Sequence, residues 1–155
     1  MAYDPMAPTE AQRSRAPYFM WLGGAAQLAA LAFYIYHPDP RDLWAFIGFG
    51  IGGLLGASLP NFMDDYQKSH TNMGFRWLGL FVAVYLFALW AVAKADFVFT
   101  LGYAANGTED PDRLPMSSIA FANDATAFGL MAVMMFYLGY GYADLRDRFS
   151  IGGEA

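Results

Sequence analysis

The sequence predicts an all-α integral membrane protein in which four transmembrane helices form an up-down-up-down bundle with both termini cytoplasmic. Apolar residues make up 57% of the 155 positions and charged residues only 15%, whereas a soluble domain keeps about a quarter of its residues charged. The charged residues also crowd into short segments between long apolar stretches. Because an apolar surface with few charges suits lipid, the whole chain is expected to form one membrane domain.

Four apolar stretches define the predicted spans, at about residues 17–36, 43–59, 77–96 and 119–142. A helix needs about 20 apolar residues to cross hydrocarbon roughly 30 Å thick, and the second stretch is the shortest. Pro17 suits the first turn of a helix, and the prolines of HPDP after Tyr36 end that helix. The remaining segments are an amino-terminal tail (1–16), an outer loop (97–118) and a carboxy-terminal tail (143–155).

The distribution of basic residues predicts that both termini lie inside, at the cytoplasmic face of a bacterial inner membrane. With four spans, six basic residues fall on the side of the termini: Arg13, Arg15, Lys68, Arg76, Arg146 and Arg148. Three fall on the opposite side: Arg41, Lys94 and Arg113. Tryptophan prefers membrane borders, so Trp21 and Trp77 are expected near the inner interface and Trp44 and Trp90 near the outer one.

Composition and spacing exclude several classes of protein. The chain has no cysteine, which rules out disulfides and cysteine-based metal centres. Its nine basic residues form no run, so a nucleic-acid interface is not expected. Gly48, Gly50 and Gly53 match the G-x-G-x-x-G spacing of dinucleotide sites, but they lie within one apolar span where a phosphate has no access. No nucleotide is therefore predicted as a ligand.

The same segment, GFGIGGLLG, contains a second glycine pattern with a different meaning. Gly48, Gly52 and Gly56 recur every fourth residue, and small residues at this spacing form a groove that lets two membrane helices approach closely. Gly53 and Ala57 broaden this groove. The first span offers a matching strip, formed by Gly23, Ala26, Gln27 and Ala30. We expect the two strips to pack within one chain, with contact to another subunit as the alternative. Gln27 is expected to face protein, because its amide would lack partners in lipid.

Ionisable residues near the outer ends of the third and fourth spans form a predicted polar cluster. Lys94 and Asp96 belong to AVAKADF, and Asp124 belongs to FANDATAF. We expect Lys94 and Asp124 to pair, with Asn123 and Thr126 completing the hydrogen bonds that a desolvated pair requires. Such a cluster is either a structural ion pair or a proton or cation site.

The predicted inner loop joins the second and third spans and reads LPNFMDDYQKSHTNMGFR. Within it, Asp64, Asp65 and His70 lie within seven residues of each other. Two carboxylates and an imidazole can bind a hard divalent metal or perform acid–base chemistry, although polar loops of this kind are usually only solvated. His37 and His70 fall on opposite sides of the membrane, so they cannot ligate one haem together. No cofactor is predicted, and a bound lipid or a pigment shared with a partner subunit is left open.

The sequence favours a non-catalytic function. We expect a small integral subunit that stabilises or assembles a larger membrane complex, of which a respiratory or photosynthetic complex is one example. Its expected partners are the lipid bilayer and either other integral subunits or further copies of the chain. Two alternatives stay open: an oligomeric transporter or channel that uses the outer polar cluster, and a membrane enzyme that uses the inner-loop residues.

Overall fold

A computed structural model describes residues 10–36, 44–57, 63–106 and 124–151. These residues form four α-helices and no strand: α1 (Glu10–Tyr36), α2 (Trp44–Ala57), α3 (Asp65–Asn106) and α4 (Ala125–Ile151). The all-α prediction is thereby confirmed for this part of the chain. Three helices contain stretches long and apolar enough to cross a membrane: Pro17–Tyr36, Asp65–Phe99 and Ala125–Phe149. The apolar part of α2, Ala45–Ala57, is shorter.

The helices extend beyond the apolar spans from which they were predicted. α1 begins at Glu10, so Pro17 lies inside it and not in its first turn. α3 has 42 residues, which corresponds to a length of about 63 Å. It includes most of the predicted inner loop and the first ten residues of the predicted outer loop (97–106). Hydropathy predicts only the apolar part of a helix. The ends of the helix are determined by capping residues and by polar residues that favour helix, so a helix can extend beyond its apolar span.

α4 lies at the centre of the structure. It packs along α3 on one side and along α1 on another, while α2 packs mainly against α1 and α3 makes almost no close contact with α1 or α2. α3 and α4 are antiparallel, since His70 lies near Asp147 and Tyr85 lies near Phe128. α1, α2 and α4 therefore pack against one another, and α3 packs almost entirely against α4.

The buried core follows from this layout. Its apolar members are Met20, Ala57, Met63, Phe136, Tyr137 and Tyr140, three of which belong to α4. Phe136 is completely buried. In the most apolar stretch of α3, by contrast, no side chain is buried. α3 therefore contributes a long apolar surface as well as a helix–helix contact.

Candidate functional site

Asp64 and Asp65, at the start of α3, form hydrogen bonds to residues in the first turn of the same helix. Asp64 caps the helix: its Oδ1 accepts a hydrogen bond of 2.7 Å from the backbone N–H of Gln67, and its carbonyl accepts one of 2.9 Å from Lys68. Asp65 accepts from the Lys68 ammonium at 3.1 Å. A cap of this type stabilises a helix by about 1 kcal/mol, and an exposed ion pair by less. Both carboxylates thus have structural roles.

His70 occupies a different environment from these two carboxylates. Its side chain is 1% exposed, and its Nε2 lies 3.0 Å from Oδ2 of Asp147 on α4. The ring meets Tyr66 edge-on at 4.2 Å between centroids and Tyr140 at 5.8 Å. Because an ionised carboxylate can only accept, the Asp147 contact assigns a proton to Nε2 and orients the imidazole ring.

The structure does not assemble the metal or acid–base set considered for Asp64, Asp65 and His70. Across the described ranges, no group of three His, Cys, Asp or Glu side chains lies close enough to hold a metal ion. His70 instead joins α3 to the end of α4, where its partner is 77 positions away in the sequence. Sequence reasoning missed Asp147 because a contact of this separation depends on how the two helices pack.

The end of α4 carries two carboxylates, each with its own arginine. Asp147 Oδ1 accepts from Nε and Nη2 of Arg146 at 3.0 and 2.9 Å, and Asp144 lies 3.0 Å from Nε of Arg148 one turn away. Asp147 is a quarter exposed, so it connects a buried imidazole to a guanidinium at the surface. The sequence signal that could have found this site is the alternation of Asp and Arg in ADLRDRF.

Replacing Asp147 by alanine is expected to destabilise the protein, because the His70 N–H would remain buried without an acceptor. The cost of such an orphaned donor is about 1–3 kcal/mol. Asp147→Asn is the matched control, since the amide oxygen can still accept the hydrogen bond, and it should lose clearly less. The measurement is detergent-induced unfolding of the purified chain. Equal losses in the two variants would show that the negative charge, and not the hydrogen bond, matters.

At the opposite end of α4, Asp124 caps the helix. Its Oδ1 accepts backbone hydrogen bonds from Thr126 and Ala127 at 2.9 and 3.1 Å, and its Oδ2 accepts from the Tyr34 hydroxyl of α1. All three hydrogen bonds are accepted by the carboxylate, so both of its oxygens have a partner. Asp124 thereby connects the end of α1 to the start of α4.

The expected Lys94–Asp124 pair is not present. Lys94 is exposed and its Nζ lies 5.9 Å from the centre of the Phe97 ring. Tyr85 contacts Phe128, so the register places Lys94 roughly 9 Å beyond the first residue of α4. Hydropathy predicts similar membrane depths for Lys94 and Asp124, but it does not determine how far α3 is shifted along α4. Of the other cluster members, Asp96 is partly exposed, Thr126 is exposed and Asn123 lies outside the described residues.

Within the apolar helices, Gln27 and Tyr137 make the polar contacts between α1, α2 and α4. Gln27 is 1% exposed, and its Nε2 donates to the carbonyl of Leu130 at 2.7 Å. The Tyr137 hydroxyl donates to the carbonyl of Gly50 at 2.6 Å. A Cβ atom added to Gly23 or Gly53 would collide with that hydroxyl. The two glycines therefore leave the space that the tyrosine hydroxyl occupies between α1 and α2.

The glycine stripe predicted to hold α1 does not do so. Around Gly48, Gly52 and Gly56, an added Cβ would meet no heavy atom of the described chain within 4 Å. The face of α2 that packs includes Gly50 together with Gly53 and Ala57, the two residues predicted to broaden the groove, because the helix is rotated relative to the expected contact. On α1, Ala30 is completely buried, while Ala26 is only partly buried. The expectation of intrachain packing through this stripe is thus corrected.

These contacts define the class of protein that the structure describes. The described residues form an all-helical structure with apolar helices compatible with a bilayer, in which Gln27 and Tyr137 connect helices to each other. Comparison with protein families, curated proteins and solved structures finds no match to this chain.

Proposed function

We propose that the protein is a non-catalytic integral membrane subunit that stabilises or assembles a larger membrane complex. Its helices cross a bacterial inner membrane in up-down-up-down order, and both termini lie on the cytoplasmic side. The single observation that carries the proposal is the long apolar surface of α3, whose most apolar stretch has no buried side chain. An apolar surface of this length is stable only against lipid or other apolar helices.

The use of polar groups supports a structural role. A polar side chain at membrane depth is costly unless it serves function or packing, and Gln27 and Tyr137 both satisfy backbone carbonyls of neighbouring helices. Asp124 caps α4 and accepts from Tyr34. Each of these three groups holds helices in place.

The two alternative functions receive less support from the geometry. A transport path was expected to use Lys94 together with Asp124, and these residues do not face each other. An enzyme site was expected to use Asp64, Asp65 and His70, of which the first two serve the start of α3 while the third is enclosed by aromatic rings. A structural subunit requires neither arrangement.

Purification of the tagged chain from its native membrane in mild detergent tests the proposal. We expect other integral membrane proteins to co-purify in fixed stoichiometry, and the same membranes carrying the untagged chain serve as the control. A chain that elutes alone, as a monomer or as an oligomer of itself, would contradict the subunit function. A chain released from membranes by alkaline carbonate would contradict the membrane placement itself.

A further inference from the structure

Aromatic residues mark a common level on α1, α3 and α4. Trp21 of α1 meets Tyr140 at 6.5 Å between ring centroids, and Trp77 of α3 meets Tyr142 at 5.6 Å. Tyr140 and Tyr142 are two residues apart on α4, so both tryptophans lie at nearly the same height. Amphipathic rings prefer the border between hydrocarbon and headgroups. This aromatic level is therefore the border of one leaflet in the membrane placement proposed above, on which the present inference rests.

Arg76 lies at this border, adjacent to Trp77, with its side chain exposed. In the described part of the chain, no carboxylate forms an ion pair with it. Three basic residues of α3 and α4 near this end differ in that respect, since Lys68, Arg146 and Arg148 each lie within about 3 Å of an aspartate. Arg76 is thus a guanidinium at headgroup level whose charge is not compensated by the described carboxylates.

The surface that continues from Arg76 into the membrane is apolar. Leu80, Val84 and Phe87 follow it at helical spacing of three or four residues, and they are 66%, 59% and 66% exposed. From Arg76 to Phe87 the helix rises about 16 Å, which is close to half of the roughly 30 Å hydrocarbon thickness. On α3, the cationic Arg76 at the border is thus followed by an apolar face about as long as the hydrocarbon of one leaflet is thick.

We infer that this face of α3, defined by Arg76, Leu80, Val84 and Phe87, binds an anionic phospholipid. The guanidinium of Arg76 donates hydrogen bonds to the lipid phosphate, and the acyl chains lie along the three apolar side chains. Arginine suits this role because its planar fork of donors matches phosphate geometry. The negative charge of the lipid supplies the counter-charge that the described carboxylates do not provide.

Native mass spectrometry of the full chain tests this site. The protein is released from micelles supplemented with either phosphatidylglycerol or phosphatidylcholine, and the fraction carrying bound lipid is measured. We expect preferential retention of phosphatidylglycerol, and Arg76→Gln should weaken that binding about tenfold, as expected when a charge-assisted hydrogen bond is lost. Arg76→Lys should retain part of it. Lys68→Gln is the matched control, because Lys68 already pairs with Asp65, and it should bind as the unchanged chain does.

Four outcomes would overturn the inference. Equal retention of the two lipids, or unchanged phosphatidylglycerol binding in Arg76→Gln, would show that Arg76 does not recognise the headgroup. Competition by soluble glycerol phosphate as effective as that by the lipid would show that the apolar face contributes nothing. A co-purifying protein whose acidic residue crosslinks to position 76 would assign the surface to that protein. None of these results affects the subunit proposal, which fails separately if the chain purifies without partners.

Discussion

Replacing Gly139 by alanine is expected to destabilise the contact between α3 and α4. A Cβ atom at this position would lie 2.8 Å from Cγ of Trp77 and 2.9 Å from the backbone oxygen of Met73. The contact is reciprocal, because a Cβ on Gly74 would lie 2.8 Å from the backbone oxygen of Phe136. Backbone atoms cannot move aside as a flexible side chain can. Overpacking of this kind costs about 1–3 kcal/mol.

Unfolding of the purified chain in mixed micelles with increasing sodium dodecyl sulfate measures this effect. Gly129→Ala is the matched control on the same helix, since a Cβ there would meet no described atom within 4 Å. This control should be neutral or slightly stabilising, because alanine favours helix over glycine by up to about 1 kcal/mol. Equal stability of the two variants would show that α3 and α4 do not approach at Gly139.

Replacing Gly53 by leucine is expected to separate α1, α2 and α4 where they meet. The new side chain would occupy the position of the Tyr137 hydroxyl and break its hydrogen bond to Gly50. The Cα of Gly23 lies 3.7 Å from the same Cβ position, so α1 leaves little room for the leucine. Overpacking and the lost hydrogen bond together should cost about 2–4 kcal/mol. The same unfolding measurement reports this loss.

The neighbouring substitution Gly52→Leu provides the control. Its Cβ would meet no described atom within 4 Å, and a surface substitution of this kind usually changes stability by less than about 0.5 kcal/mol. Under the proposed function, Gly52→Leu should leave the isolated chain folded but reduce co-purification of partners if a partner helix lies against the stripe of Gly48, Gly52 and Gly56. A large loss of stability in Gly52→Leu, with none in Gly53→Leu, would reverse the assignment of the two faces of α2.

Hydropathy was sufficient to predict the helices but not their contacts. All four apolar stretches correspond to helices in the described residues, because a run of apolar residues without turn signals predicts a helix through composition alone. Helix ends were less predictable: Asp64 begins α3 by capping it well before the apolar span, and α3 continues past Asp96 to Asn106. Local polar hydrogen bonds, which hydropathy does not report, decide such ends.

For the candidate sites too, the sequence identified the residues but not their contacts. The sequence identified Asp124, His70 and Gln27 as unusual residues, since each is a polar group in or beside an apolar helix. It did not identify their partners, which are Tyr34, Asp147 and the carbonyl of Leu130. Each partner lies at least 77 positions away along the chain. Residues so far apart in the sequence share no local motif that would predict their contact.

By itself, therefore, the sequence determined that the described segments are helical, that three of these helices are long and apolar enough to cross a membrane, and which polar residues require a partner. Only the tertiary structure decided that Gly50 and Gly53, and not Gly48, Gly52 and Gly56, receive the side chains of other helices. The physical reason is that helix contacts depend on the rotation of each helix about its axis and on its register against its neighbour. Composition and spacing describe one helix at a time, whereas the rotation of each helix about its axis and its shift along a neighbour depend on how both surfaces fit together.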